Sequence, residues 1–157
     1  MDLILWRHAD ALKESDGVAD LDRPLSAKGS RQAAAMARWL DHRLPESTRV
    51  LVSPTRRTLE TAQKLGRKSL SVANLGPGGS AAHLLLAANW PDCRHPVLVV
   101  GHQPALGRVA SLLLLGKEQD LSVRKCGVVW ISSKSRKDVG DADVILGLRA
   151  AMSPDLL

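Results

Sequence analysis

Phenylalanine and tyrosine are absent from this 157-residue chain; Trp6, Trp39, Trp90 and Trp130 are its only large aromatics. The core must therefore be aliphatic, and a surface of stacked rings for single-stranded nucleic acid has nothing to be built from. Cysteine occurs twice, at Cys93 and Cys126. That is too few for a disulfide framework, and no paired spacing suggests zinc. No apolar stretch approaches the roughly 20 residues of a membrane span. The start of the chain, Met1-Asp2 and a short strand-like run, lacks the layout of a signal peptide. A cytoplasmic protein without membrane or nucleic-acid partners is the expectation. There is no internal repeat and no low-complexity tract. The length fits one domain over residues 1–157 with a real core.

Positive charge is in excess: 22 Lys and Arg face 16 Asp and Glu, a net +6. That sign favours phosphates and acidic proteins as partners. Three apolar runs show where such an anion could sit. Leu3-Ile4-Leu5-Trp6 ends at Arg7-His8. Val50-Leu51-Val52 runs into Ser53-Pro54-Thr55-Arg56-Arg57. Val97-Leu98-Val99-Val100 runs into Gly101-His102-Gln103-Pro104. In open α/β sheets ligands bind at the C-terminal ends of the strands. Three strands each followed by a cation or an imidazole predict one site for a doubly charged anion.

The remaining pattern alternates strand and helix, so the sheet should be mainly parallel with helices on both faces. Strands are expected at about 2–7, 49–53, 70–73 and 97–101. Two more, at 127–132 and 143–149, should pair antiparallel across a polar turn at 133–142. Ser26 is a natural N-cap for a helix to about Leu44, with Ala33, Met36, Ala37 and Leu40 on its apolar stripe. A second helix should start after Ser53, with Pro54 in its first turn, and end near Gly66. Ser80 should cap a third helix over 81–89, and Pro104 should open a fourth. Gly76-Pro77-Gly78-Gly79 reads as a turn. Only about 30 residues separate the second helix from the strand at 97–101, too few for a large lid.

Phosphoryl transfer to a side chain needs a nucleophile and neutralisation of the non-bridging oxygens. A neutral imidazole can attack phosphorus, and nearby guanidiniums both bind phosphate and discourage protonation of that imidazole. Arg7 beside His8 meets these needs. Arg57 falls one turn into a helix, where the helix N-terminus also favours an anion. His42, His83 and His95 lack metal-like spacing and read as surface or boundary residues. The aspartates over 10–22 read as a solvated loop rather than a metal site.

Leu5-Trp6-Arg7-His8-Ala9-Asp10-Ala11 resembles the Arg-His-Gly signature of the histidine phosphatase superfamily. Ser53-Pro54-Thr55-Arg56-Arg57-Thr58-Leu59-Glu60-Thr61-Ala62 is similar to its Ser-x-x-x-Arg-Ala-x-Gln-Thr-Ala stretch, and Val99-Val100-Gly101-His102-Gln103-Pro104 resembles its second-histidine motif. Arg23-Pro24-Leu25-Ser26-Ala27-Lys28-Gly29 and Met152-Ser153-Pro154 point to the SixA branch, the phosphohistidine phosphatases. The resemblance implies a three-layer α/β/α sandwich with a mainly parallel central sheet and no large lid domain. By position it also implies that His8 is the phosphorylated nucleophile and His102 the second catalytic imidazole. Arg7 and Arg57 would be the phosphate-binding arginines. No metal or other cofactor is implied. Arg57 rather than Arg56 takes the role because it follows Ser53 by four residues.

Two departures stand out. Ala9 replaces the usual Gly, so φ > 0 would be costly there. Residues 61–91 contain no Asp or Glu, and that stretch is where many members keep a carboxylic acid. Asp10, Asp16, Asp20 and Asp22 are possible substitutes as proton donor, and nothing in the sequence selects among them. An alkoxide leaving group needs such an acid, since its conjugate acid is about as weak as water, pKa ~15.7. Imidazole does not, since imidazolium has pKa ~6.5. The expected activity is hydrolysis of phosphohistidine on a protein, such as a histidine phosphotransfer domain, through a phospho-His8 intermediate. Arg56, Lys64, Arg67 and Lys68 are expected to steer that acidic partner. The alternatives are a small-molecule phosphomonoesterase on the same site and a non-catalytic basic module that binds acidic or phosphorylated proteins.

Overall fold

Alternation along the strands sorts their side chains into two cores. In the computed structural model, which describes residues 1–14, 18–135 and 144–157, Ile4, Trp6, Leu98 and Val100 point to one face of a sheet, while Leu3, Leu5, Val97 and Val99 point to the other. Both faces are covered, as the continuous apolar runs require. The result is a three-layer α/β/α sandwich.

The sheet has six strands: β1 (Asp2–Arg7), β2 (Arg49–Val52), β3 (Ser69–Ser71), β4 (Val97–Gly101), β5 (Val128–Ser135) and β6 (Val144–Met152). Their order is β3-β2-β4-β1-β5-β6. The first four are parallel, and β5 pairs antiparallel with both β1 and β6. The registers Arg7↔Gly101 and Val52↔Val100 bring the C-terminal ends of β1, β4 and β2 to one edge.

Four helices flank it. In α1 (Ala27–Asp41), Ala33, Met36, Ala37 and Leu40 pack with the Trp6 core. Ala62 of α2 (Arg56–Gln63) joins the same core. Leu84 and Ala88 of α3 (Ala81–Ala88) pack with Leu106, Val109 and Ala110 of α4 (Ala105–Leu115) on the opposite face. Ser26 and Ser80 cap α1 and α3, accepting from the amides of Gly29 at 3.0 Å and His83 at 3.1 Å. His83 is therefore a capping residue.

The boundaries differ from the sequence reading in instructive ways. Helix α1 stops at Asp41 rather than Leu44, because Pro45 disfavours helical backbone at the residue before it. Helix α2 starts at Arg56, so Pro54 lies outside it; extended backbone at Thr55, φ −75° and ψ 149°, delays the first turn. Strand β3 starts one residue earlier than expected and ends two residues earlier. Strand β5 runs through Ser135, into the expected turn, and the rest of that turn lies outside the described residues. Gly29 has a structural reason: a Cβ there would lie 1.8 Å from the Asp10 carbonyl oxygen, so only glycine lets α1 meet the loop after β1.

Candidate active site

His8 is clamped by main-chain bonds from two sides. Its amide donates to the Gly101 carbonyl at 3.1 Å, and its carbonyl accepts from the Cys126 amide at 3.0 Å. The next residue, Ala9, donates its amide to Thr61 Oγ1 at 3.1 Å, and the same hydroxyl donates to the Arg57 carbonyl at 2.7 Å. The loop after β1 is thus tied to the turn of α2 that carries Arg57. Ala9 is fully buried, and among the described non-glycine residues only Asn89 and Cys126 have positive φ. The alanine therefore costs no backbone strain.

The two imidazoles lie together, with ring centroids 5.2 Å apart and planes tilted by 55°. His8 Nδ1 is 2.8 Å from the Ala9 carbonyl oxygen. A carbonyl can only accept, so Nδ1 carries the proton and Nε2 keeps its lone pair. His102 Nε2 is 2.7 Å from Ser53 Oγ and 3.4 Å from Thr55 Oγ1. Both hydroxyls come from the extended segment ahead of α2, which explains why that helix starts late. Among the described residues no partner is bonded to His102 Nδ1.

Burial is the main force on both rings. It lowers the pKa of His8 to about 4, aided by the charges of Arg57, Arg7 and Lys125 and opposed by the Ala9 hydrogen bond. It lowers that of His102 to about 3, aided by His8, Arg57 and Arg7. Both imidazoles are neutral at pH 7.

The arginines are held by carbonyls. Arg7 Nη1 donates to the Val123 carbonyl at 2.7 Å, and Arg57 Nη1 to that of Asp20 at 2.7 Å. Arg57 Nη2 also reaches the Asp20 carboxylate at 3.2 Å. Among the described residues Arg7 has no carboxylate partner, and the Nε–H groups of both arginines are buried without an acceptor. A buried cation, Arg57, and a half-buried one, Arg7, each with a spare donor, favour an oxyanion. The structure therefore brings together all four residues singled out in the sequence: Arg7, His8, Arg57 and His102.

A family model for the histidine phosphatase superfamily (branch 1) matches residues 3–75. The phosphohistidine phosphatase SixA of Escherichia coli (strain K12) is 31% identical over 127 residues, covering 74% of this chain and 76% of that protein. The chain belongs to the histidine phosphatase superfamily, branch 1. An uncharacterized protein of Picosynechococcus is 32% identical over 143 residues, covering 85% of this chain and 86% of that one. The structure of a protein histidine phosphatase SixA complexed with tungstate superposes with a TM-score of 0.76 at 26% identity, covering 99% of both chains. The mainly parallel sheet with helices on both faces is the histidine phosphatase fold.

Within that superfamily fold the structure distinguishes the aspartates. Asp20 reaches Arg57. Asp10 accepts from Lys125 Nζ at 2.6 Å and from the Ser26 hydroxyl at 2.7 Å. Asp22 is exposed, and Asp16 lies outside the described residues. The hydrogen bond from Arg23 leads in holding the Asp20 carboxyl below the usual range, and those from Lys125 and Ser26 do so for Asp10. Both are ionised at pH 7, so neither is poised to give up a proton.

Two of the four expected steering residues, Arg67 and Lys68, need correction. Arg67 donates to the carbonyls of Leu44 and Pro45 and pairs with Asp41, and Lys68 lies beside it just ahead of β3. This is the N-terminal edge of the sheet, opposite His8. Arg56 is engaged by Glu60 at 2.7 Å. Ser53, Thr55 and Thr61 are the site residues that sequence reasoning missed; their place in the second motif was the only signal. Among the described residues no group of three or more His, Cys, Asp or Glu could hold a metal ion, and no helix is long and apolar enough to cross a membrane.

Proposed function

We propose that this chain, acting as one catalytic unit over residues 1–157, hydrolyses phosphohistidine on a protein. His8 Nε2 attacks phosphorus. The new N–P bond forms as the bond to the substrate ring breaks, and that ring departs neutral because its other nitrogen already carries the proton. Water then attacks phospho-His8 and releases phosphate, returning His8 to its neutral form. Arg7 and Arg57 neutralise the non-bridging oxygens throughout. With Ser53 as the donor to His102 Nε2, the proton of that ring sits on Nδ1 for the phosphoryl oxygens.

The observation that carries this reading is the state of the carboxylates. Asp20, whose charge reaches His102, is held ionised by Arg23 and Arg57. A site with neutral imidazoles, bound arginines and, among the described residues, no protonated carboxyl beside them suits an imidazole leaving group better than an alkoxide. The 31% identity to a phosphohistidine phosphatase supports the same substrate class.

Phosphate release from a phosphohistidine protein, measured beside a panel of sugar phosphates and phosphoserine, tests it. We expect the higher kcat/KM on the phosphohistidine protein. Higher efficiency on a phosphoester would favour the small-molecule reading instead.

A further inference from the structure

A groove of about 650 Å³ opens beside Arg7, on the side of the site away from α2. Its charged lining is Arg7, Lys28, Arg124 and Lys125 against Asp10 and Asp155. Both carboxylates are already engaged. Asp10 takes Lys125 and the Ser26 hydroxyl; Asp155 takes Arg124 at 3.0 Å and the Ser153 hydroxyl at 2.6 Å. Lys125 and Arg124 hold those carboxylates, and Arg7 has no carboxylate partner among the described residues. Lys28 is exposed and has no carboxylate partner among the described residues; the Arg124 side chain is 72% exposed and that of Lys125 48%. The groove is thus an open, net-positive trough that shares Arg7 with the phosphate site. Lys125 lies near enough for its charge to act on His8.

We infer that this groove is the docking surface for the acidic rim of the phosphohistidine-bearing protein, with Lys28, Arg124 and Lys125 as its specificity-determining contacts. This rests on the proposed activity and adds to it where and how the partner is recognised. If the phosphohistidine is on a helix, side chains three and four positions away lie about 5–6 Å along the same face. With the phosphoryl group at His8, carboxylates at those positions fall over the trough. Charges at such a rim act mainly on encounter and partner choice. Those of Lys28 and Arg124 are not among the charges that act on His8, so they leave the chemistry there alone.

The test compares two substrates. One is a chemically phosphorylated phosphohistidine protein with acidic residues three and four positions from its histidine; the other is free phosphohistidine. In Lys28→Glu/Arg124→Glu, kcat/KM on the protein should fall by about tenfold, through KM, and lose most of its salt dependence. Free phosphohistidine should be turned over as by wild type. Lys28→Gln/Arg124→Gln, which adds no repulsion to Asp155, should fall in between. Unchanged kcat/KM on the protein would overturn the inference and leave the activity standing. So would equal losses on both substrates. Wild type that turns over no phosphohistidine protein would overturn the proposed function and this inference together.

Discussion

Asp20 engages both terminal nitrogens of Arg57, its carbonyl accepting from Nη1 at 2.7 Å and its carboxylate from Nη2 at 3.2 Å. The first contact fixes the guanidinium without using its charge. The second places a negative charge where a phosphoryl group would bind. Asp20→Asn keeps the carbonyl contact and removes the charge. Vanadate should bind Asp20→Asn several-fold more tightly than wild type, and weaker binding in an inhibitor titration would show that the carboxylate instead supports the anion site.

Arg57 is buried while its neighbour Arg56 is 56% exposed and paired with Glu60. A charge-assisted hydrogen bond to a buried anion contributes about 1.5–3 kcal/mol, which corresponds to roughly 10- to 150-fold in affinity. An exposed ion pair contributes little. Arg57→Ala should lose vanadate affinity in that range and Arg56→Ala should stay close to wild type. Equal losses would reverse the assignment of the phosphate-binding arginine.

The buried imidazoles link stability to pH. Their folded pKa values, about 4 for His8 and about 3 for His102, lie below the ordinary 6.5. Above pH 6.5 both folded and unfolded chains carry them neutral. As pH falls below 6.5 the unfolded chain takes up protons that the folded one refuses, so stability drops until the folded pKa values are reached. Urea unfolding should show wild type less stable at pH 5 than at pH 7, and His8→Gln/His102→Gln should show a smaller drop. An equal drop in both would place the linkage elsewhere. Asp10 and Asp20 work in the same direction, but at lower pH, near and below the ordinary carboxylate range.

Much of this architecture is written in local patterns. The apolar runs at Leu3–Trp6 and Val97–Val100 are strands because they are buried on both faces, and Arg7, His8 and His102 follow at their ends. Ser26 and Ser80 announce their helices through capping chemistry that acts over three residues. What the sequence does not disclose depends on contacts between distant segments. Asp20 is distinguished from its neighbours only by reaching Arg57, 37 positions away. Lys125 meets Asp10 across 115 positions, because β5 pairs with β1 and carries the preceding loop to the site. Arg67 looks like a surface cation near the second motif, yet the length of α2 takes it to the opposite edge, where it satisfies carbonyls at the end of α1. Charge and spacing alone carry no record of those destinations.

The central claim is a phosphoryl group carried on His8. The measurement is rapid quenching of the enzyme with a ³²P-labelled phosphohistidine protein, followed by detection of label on the chain under alkaline and acid conditions. Wild type should yield an acid-labile, alkali-stable phosphoenzyme mapping to the peptide that contains His8, and His8→Ala should yield none and turn over no substrate. Full turnover by His8→Ala, or label on another residue, would contradict the account.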